Sequence, residues 1–235
     1  TSWCGPCQTL AKEVFTLDSV ADFFNRHFLC VKLDIEKGKG LELKKPFEIR
    51  AYPTLLFLDG KQQVVHRIVG CDGAEYLMKE AGKALDPQLN FRAMQERYMA
   101  GERATDFILE YLNYLGHAYL EEEANAIALQ YLQGFKEEEL ITSANWKIIE
   151  KYIKDPLAIP LQVVMKRRKA FFDLAPEQEV INKLNLTCRS ALLPFTRWRP
   201  DSEIVFDERY YDALVAYFKS VDYDLAPECL ANLYT

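Results

Sequence analysis

Trp3-Cys4-Gly5-Pro6-Cys7 decides the reading of this chain. Two thiols stand three residues apart. If a helix begins at Cys4, Cys7 falls one turn further on and on the same side. Unpaired amides and the helix dipole at that end favour a negative sulfur. Only the thiolate attacks a disulfide. Gly5 keeps bulk away from the attacking atom, and Pro6, with no amide hydrogen, suits a first helical turn. The pattern predicts Cys4 as nucleophile and Cys7 as the thiol that resolves the mixed disulfide. The competing readings are a structural disulfide, half of a metal site, and coincidence. A zinc site needs a second close ligand pair, and Cys30, Cys71, His27, His66 and His117 supply none in sequence.

Downstream of the dithiol the periodicities alternate. Leu10, Val14 and Phe15 recur at helical spacing, and Asp18 stands before a second helical run with Val20, Phe23 and Phe24. Phe28 to Ile35 reads as a strand, with Val31 and Leu33 on one face and Lys32 and Asp34 on the other; Cys30 is expected to be a buried, inert thiol. Leu41 to Phe47 reads as a short helix. Thr54 to Leu58 is a compact apolar strand, Asp59-Gly60 signals a hairpin, and Val64 to Val69 returns. Ala74 to Leu85 is helical and Asp86-Pro87 closes it. The expected fold class is therefore a small α/β domain over residues 1–87, followed by an all-α domain over 88–235.

The second part carries apolar stripes of helical period. Phe107, Ile108, Tyr111, Leu112, Leu115 and Tyr119 form one, and Ala124, Ile127, Ala128, Tyr131 and Leu132 another. Glu121-Glu122-Glu123 suits an exposed helix start. Trp146, Ile149 and Ile153 follow, then Val163 to Phe172 and Tyr211 to Phe218; Glu203 to Phe206 is a candidate short strand. Leu115-Gly116-x-x-Tyr119 with Ala128 resembles part of a tetratricopeptide repeat. Repeat-like helix pairs and generic helical packing both remain open.

Composition narrows the function classes. The 235 residues are 49% hydrophobic and 27% charged, with a net charge of -6. Such a chain is globular and has no general attraction to nucleic acid or to an anionic membrane. Lys166-Arg167-Arg168-Lys169, the one compact basic run, reads as a solvated helix face. No apolar run is long enough to span a membrane. Six cysteines do not make a disulfide-dense scaffold.

Residues 3–85 resemble a thioredoxin-fold domain. The resemblance rests on Trp3-Cys4-Gly5-Pro6-Cys7, Val31-Lys32-Leu33-Asp34, Tyr52-Pro53-Thr54 and Gly70, in family order. The wording around Trp3 to Cys7, Glu13-Val14-Phe15 and Arg50 to Gly60 is most similar to extracytoplasmic thioredoxin-like proteins of Gram-negative bacteria. The resemblance implies a redox site with Cys4 and Cys7 catalytic and Trp3, Gly5, Pro6, Lys32, Tyr52, Pro53 and Gly70 in support. Family sites of this kind bring a thiol from about 8.5 to about 7. Pro53 is implied to be cis and to lie against the dithiol, with the backbone of Tyr52 exposed to an extended substrate. Gly70 is implied to leave room for that substrate, and Cys71 beside it is either a regulatory thiol on the rim or an idle one. Lys32 matches a lysine near the buried end of such sites.

In this fold a strand precedes the dithiol and runs centrally in the sheet. Only three residues precede Cys4, so residues upstream are expected to supply it. The implied activity is protein-disulfide reduction, since Gly5-Pro6 resembles members with potentials near about -270 mV. The implied partners are disulfide-containing proteins and an upstream thiol donor, with no cofactor and no metal. The implied compartment is the periplasm or another extracytoplasmic space, with the cytoplasm left open. The alternative is a peptide-binding or chaperone-like protein in which the helical part dominates, motivated by its many aromatics.

Overall fold

The computed structural model describes residues 3–70, 72–196 and 205–233. Two compact units divide the chain, Thr1–Leu120 and Glu121–Thr235.

The first unit opens with α1 (Gly5–Thr9), which runs on through a wider π-helical turn, Leu10–Val14. α2 (Asp18–His27) and α3 (Lys39–Lys44) follow. The hairpin of β1 (Thr54–Leu58) and β2 (Val64–Val69) is antiparallel, pairing Thr54 with Val69 and Phe57 with His66. The Asp59 side chain shapes its turn by accepting from the amides of Lys61 and Gln63. α4 (Gly73–Leu85) crosses back over the hairpin. Leu10, Val14, Val20, Phe24, Phe57, Ile68, Leu77 and Ala81 make one buried core between these helices and the hairpin. Burial of such side chains contributes about 1.5–3 kcal/mol each.

One expected strand is absent. Residues 28–34 have no regular structure and 35–38 form turns, so the strand read at Phe28 to Ile35 is corrected. Phe28 packs on Phe57 with ring centroids 5.1 Å apart. Beyond it Leu29, Val31 and Leu33 are 96%, 73% and 51% exposed, and Cys30 is exposed, not buried. The reason is that a strand exists only by pairing its amides and carbonyls with a neighbour. Among the described residues the sheet has two strands, and neither pairs its backbone with this segment. The segment does fold back as a turn, where Gly40 sits so close to Asp34 that a Cβ would overlap the Asp34 carbonyl.

The first unit also extends past the expected boundary at residue 87. α5 (Phe91–Met99) and α6 (Thr105–His117) belong to it. Phe91 stacks on Tyr114, 4.8 Å between centroids, and its amide donates to Nδ1 of the buried His66 on β2 (3.3 Å). Nε2 of His66 therefore carries the proton toward Glu80 of α4 (3.3 Å), which also holds Lys83 (2.8 Å). The apolar stripe of α6 is buried through Leu115, but the helix ends at His117. Tyr119 leaves the stripe, with a positive φ of 57° and 48% exposure.

Among its described residues, every regular element of the second unit is a helix. It comprises α7 (Glu121–Leu132), α8 (Glu137–Leu140), α9 (Ser143–Tyr152), α10 (Ile159–Lys166), α11 (Arg168–Phe171), α12 (Glu177–Thr196), α13 (Glu208–Ser220) and α14 (Ala226–Leu233). Ala124, Ile127, Ala128, Tyr131 and Leu132 are all buried on α7, behind the acidic start Glu121–Glu123. Trp146, Ile149 and Ile153 are buried as well. The basic run is split between α10 and α11. There Lys166 pairs with Glu137, and Arg168 donates to the carbonyls of Met165 and Asp222. Glu203 of the candidate short strand lies outside the described residues, and Val205 and Phe206 have no regular structure. Leu115, Gly116 and Tyr119 fall in the first unit and Ala128 in the second. The architecture is thus an incomplete thioredoxin-like α/β fold followed by an all-α unit. No described helix is long and apolar enough to cross a membrane.

Candidate redox site

Cys4 occupies the N-cap position of α1 in extended conformation, with φ -78° and ψ 99°. A cap side chain accepts from the first free amides of the helix. Here the acceptor is sulfur: the Cys7 amide donates to Cys4 Sγ at 3.2 Å. Pro6 fills the first turn, where no amide hydrogen is needed, and the Gln8 amide reaches the Cys4 carbonyl (3.1 Å). The two cysteines are joined as a disulfide with their Cα atoms 5.3 Å apart. A Cβ on Gly5 would meet nothing within 4 Å, so the flank of the disulfide is open on that side. Cys4 is only 3% exposed, whereas Cys7 is half-buried.

The second part of the site comes from the approach to β1. The Tyr52–Pro53 bond is cis. Trp3 and Tyr52, the residues just before Cys4 and Pro53, meet edge to face with centroids 5.8 Å apart. The Thr54 hydroxyl donates to the Ala51 carbonyl (2.8 Å), which closes the turn around Pro53. The Gly70 amide donates to the Pro53 carbonyl (2.9 Å), so the end of β2 ties down the cis segment. Gly70 has φ +82°, a conformation that glycine adopts without a steric cost, and no atom lies within 4 Å of where a Cβ would stand.

The structure therefore gathers Trp3, Cys4, Gly5, Pro6, Cys7, Tyr52, Pro53 and Gly70 into one neighbourhood through these contacts. Lys32 is exposed on the irregular segment. Cys71 lies outside the described residues. Two residues that the sequence reading did not single out join the rim. Glu36 accepts from Trp3 Nε1 at 2.9 Å, and Lys44 Nζ stands 5.9 Å from the Tyr52 ring centroid. Neither belongs to a motif, and the separation of 33 residues between Trp3 and Glu36 leaves no local signal. Among the described residues no three His, Cys, Asp or Glu side chains group as a metal site.

Comparison with known proteins bears on residues 1–84, which match the family described as a thioredoxin-like domain. Over 80 residues the chain is 34% identical to a thioredoxin-like protein of Synechocystis sp. (strain ATCC 27184 / PCC 6803 / Kazusa), covering 34% of this chain and 70% of that protein. Over 84 residues it is 31% identical to a protein disulfide-isomerase of Datisca glomerata. That alignment covers 34% of this chain and only 17% of the isomerase. No solved structure matches the chain. The matched stretch holds the disulfide, the cis proline and the hairpin that follows it, and it spans more than two thirds of the Synechocystis relative; the chain belongs to the thioredoxin-like family.

Proposed function

We propose that this protein reduces disulfides in other proteins through Cys4 and Cys7. Family membership and the Cys4–Cys7 disulfide support thiol–disulfide redox activity in general. The observation that carries the finer reading is the Cys7 amide aimed at Cys4 Sγ, at the positive end of α1. In the reduced protein that amide and the helix dipole stabilise a Cys4 thiolate.

The cycle then balances. The Cys4 thiolate attacks a substrate disulfide, forming Cys4–S–S–substrate and expelling one substrate thiolate, which takes a proton from water. Cys7 gives its proton to solvent, which reaches this half-buried residue, and attacks the Cys4 sulfur. The second substrate thiol leaves, two electrons have passed to the substrate, and the Cys4–Cys7 disulfide remains. A thiol donor returns the two electrons for the next turn. In this reading Tyr52 offers its backbone to the extended substrate, and the open space beside Gly5 and Gly70 admits it. An extracytoplasmic site of action belongs to the same proposal, because protein disulfides accumulate there.

Insulin reduction under dithiothreitol tests the activity. Cys4→Ser is expected to fall to the uncatalysed background, and retained turnover sinks the proposal. Equilibration with glutathione tests the direction: the expected potential is near about -270 mV, and one above about -150 mV makes the protein an oxidant instead. Binding of unfolded proteins that ignores Cys4→Ser would favour the helical unit as a binding module.

A further inference from the structure

We propose that Cys188 and Cys229 form a second redox pair, which closes to a disulfide between α12 and α14 at the expense of a low-molecular-weight disulfide such as oxidised glutathione. This pair lies in the second unit, and the proposal does not rest on the reading of Cys4 and Cys7.

The geometry starts with the helix faces. Asn185, Cys188, Arg189 and Leu192 recur at positions i, i+3, i+4 and i+7 along α12, so they share one face. α14 packs on that face. Arg189 Nη2 pairs with Glu228 Oε1 at 3.2 Å, one residue beyond Cys188 on α12 and one before Cys229 on α14. The Tyr223 hydroxyl donates to Asn185 Oδ1, one helical turn earlier. The Tyr211 hydroxyl of α13 donates to the Leu233 carbonyl (2.9 Å) and holds the other end of α14. These bonds fix the register of the two helices on either side of the sulfurs. Cys188 and Cys229 themselves are fully buried and hydrogen-bonded to each other.

The Cys188 thiol donates to the Cys229 sulfur, and this bond together with burial holds Cys188 well above the ordinary thiol range. The same bond pulls Cys229 below it. Once α14 lifts, that bond is broken and either sulfur can lead the attack; take Cys229. Its thiolate attacks oxidised glutathione, the S–S bond of that molecule breaks, and one glutathione leaves as a thiol with a proton from water. The Cys188 thiol, deprotonated to solvent in the opened state, then attacks the Cys229 sulfur and expels the second glutathione. Two thiols and one small disulfide become one protein disulfide and two glutathione thiols.

Burial sets the rate, because the reagent enters only when α14 lifts from α12. A short helix such as α14 opens at lower free energy than the core of a unit. Oxidation of this pair should therefore lag far behind that of Cys4 and Cys7. Once formed, the bond closes a loop of roughly forty residues, which restricts the unfolded chain and raises stability.

The test is peptide mapping of the wild-type protein, equilibrated in oxidised-rich glutathione, quenched in acid, alkylated, and digested without reduction. The expected product is a peptide pair joined through Cys188 and Cys229 that appears more slowly than the Cys4–Cys7 link. In a background where Cys4 and Cys7 are both alanine, oxidation should still raise the melting temperature by several degrees, and Cys188→Ala should abolish that rise. The proposal fails if both sulfurs stay free while Cys4 and Cys7 are fully oxidised. It fails equally if either is found on glutathione, Cys30 or Cys71 at equilibrium.

Discussion

The two edges of the small sheet are finished in opposite ways. On the β2 side, the Arg67 amide donates to the Tyr114 hydroxyl at 2.7 Å, and that hydroxyl donates back to the Arg67 carbonyl at 3.1 Å. One side chain of α6 thereby satisfies both outward-facing backbone groups. The Arg67 guanidinium reaches the other way, to the carbonyls of Phe47 and Glu48. Burial keeps the Tyr114 hydroxyl protonated well above its usual range, so the cap survives alkaline conditions. On the β1 side the described residues hold no further strand, and Leu29, Val31 and Leu33 stand in solvent despite their alternating pattern. An alternating sequence is a strand only when something pairs with it; a helix that carries a hydroxyl can finish an edge as well as another strand does.

The widest effect should come from removing the helices that close the β2 edge. A chain ending at Pro87 loses Phe91 and Tyr114, exposes His66 and leaves Arg67 uncapped. We expect it to show no cooperative urea transition, whereas a chain ending at Leu120 keeps one; a cooperative shorter chain would make α5 and α6 an accessory.

Next in size is the buried Glu80. Burial raises its carboxyl, but the hydrogen bonds from His66 and Lys83 and the Lys83 charge outweigh that and bring it down to about 2 from an ordinary 4.5. The folded value lies below the unfolded one, so the stabilisation is complete above about pH 4.5 and disappears as the pH falls toward 2. Its size is about 3 kcal/mol. Urea melts of the wild type against Glu80→Gln should differ by that amount at pH 7 and converge near pH 2. A pH-independent difference would mean that packing, and not charge, makes the site.

Tyr114→Phe removes the hydroxyl alone, and with it the two bonds to the Arg67 amide and carbonyl, which costs about 1–3 kcal/mol. The smallest effect is expected on the open side. Val31→Lys changes an exposed residue and should shift stability by no more than about 0.5 kcal/mol. A loss as large as that of Tyr114→Phe would show that residues 28–35 are packed in solution.

The site was more legible than the sheet around it. Cys4, Gly5, Pro6 and Cys7 act through a cap and a first helical turn, both set by neighbours within four residues, so their spacing carried the geometry. Pro53 and Gly70 could be placed only through the family pattern, because nothing local announces that the Gly70 amide will hold the Pro53 carbonyl. Glu36 and Lys44 were invisible for the same reason. The order of exposure also ran against intuition. Cys4, the expected nucleophile, is the more buried of the two cysteines.

The helical stripes were read correctly wherever burial on one face sufficed, as on α7 and through Leu115 of α6. They failed at Tyr119, where a positive φ ends the face. The partition of the chain was less accessible, since the bonds that draw α5 and α6 to β2 run from His66 and Arg67 to Phe91 and Tyr114.

By itself the sequence determined the dithiol, its place at a helix start, the hairpin and the main helical stripes beyond, because each depends on contacts a few residues apart. Tertiary structure decided the rest. It alone settled that Leu29 to Leu33 lie open, that Tyr114 closes the far edge, that His66 is locked between Phe91 and Glu80, and that Cys188 meets Cys229. Those outcomes turn on which distant group arrives to satisfy a buried amide, carbonyl or sulfur, and no local pattern encodes that arrival.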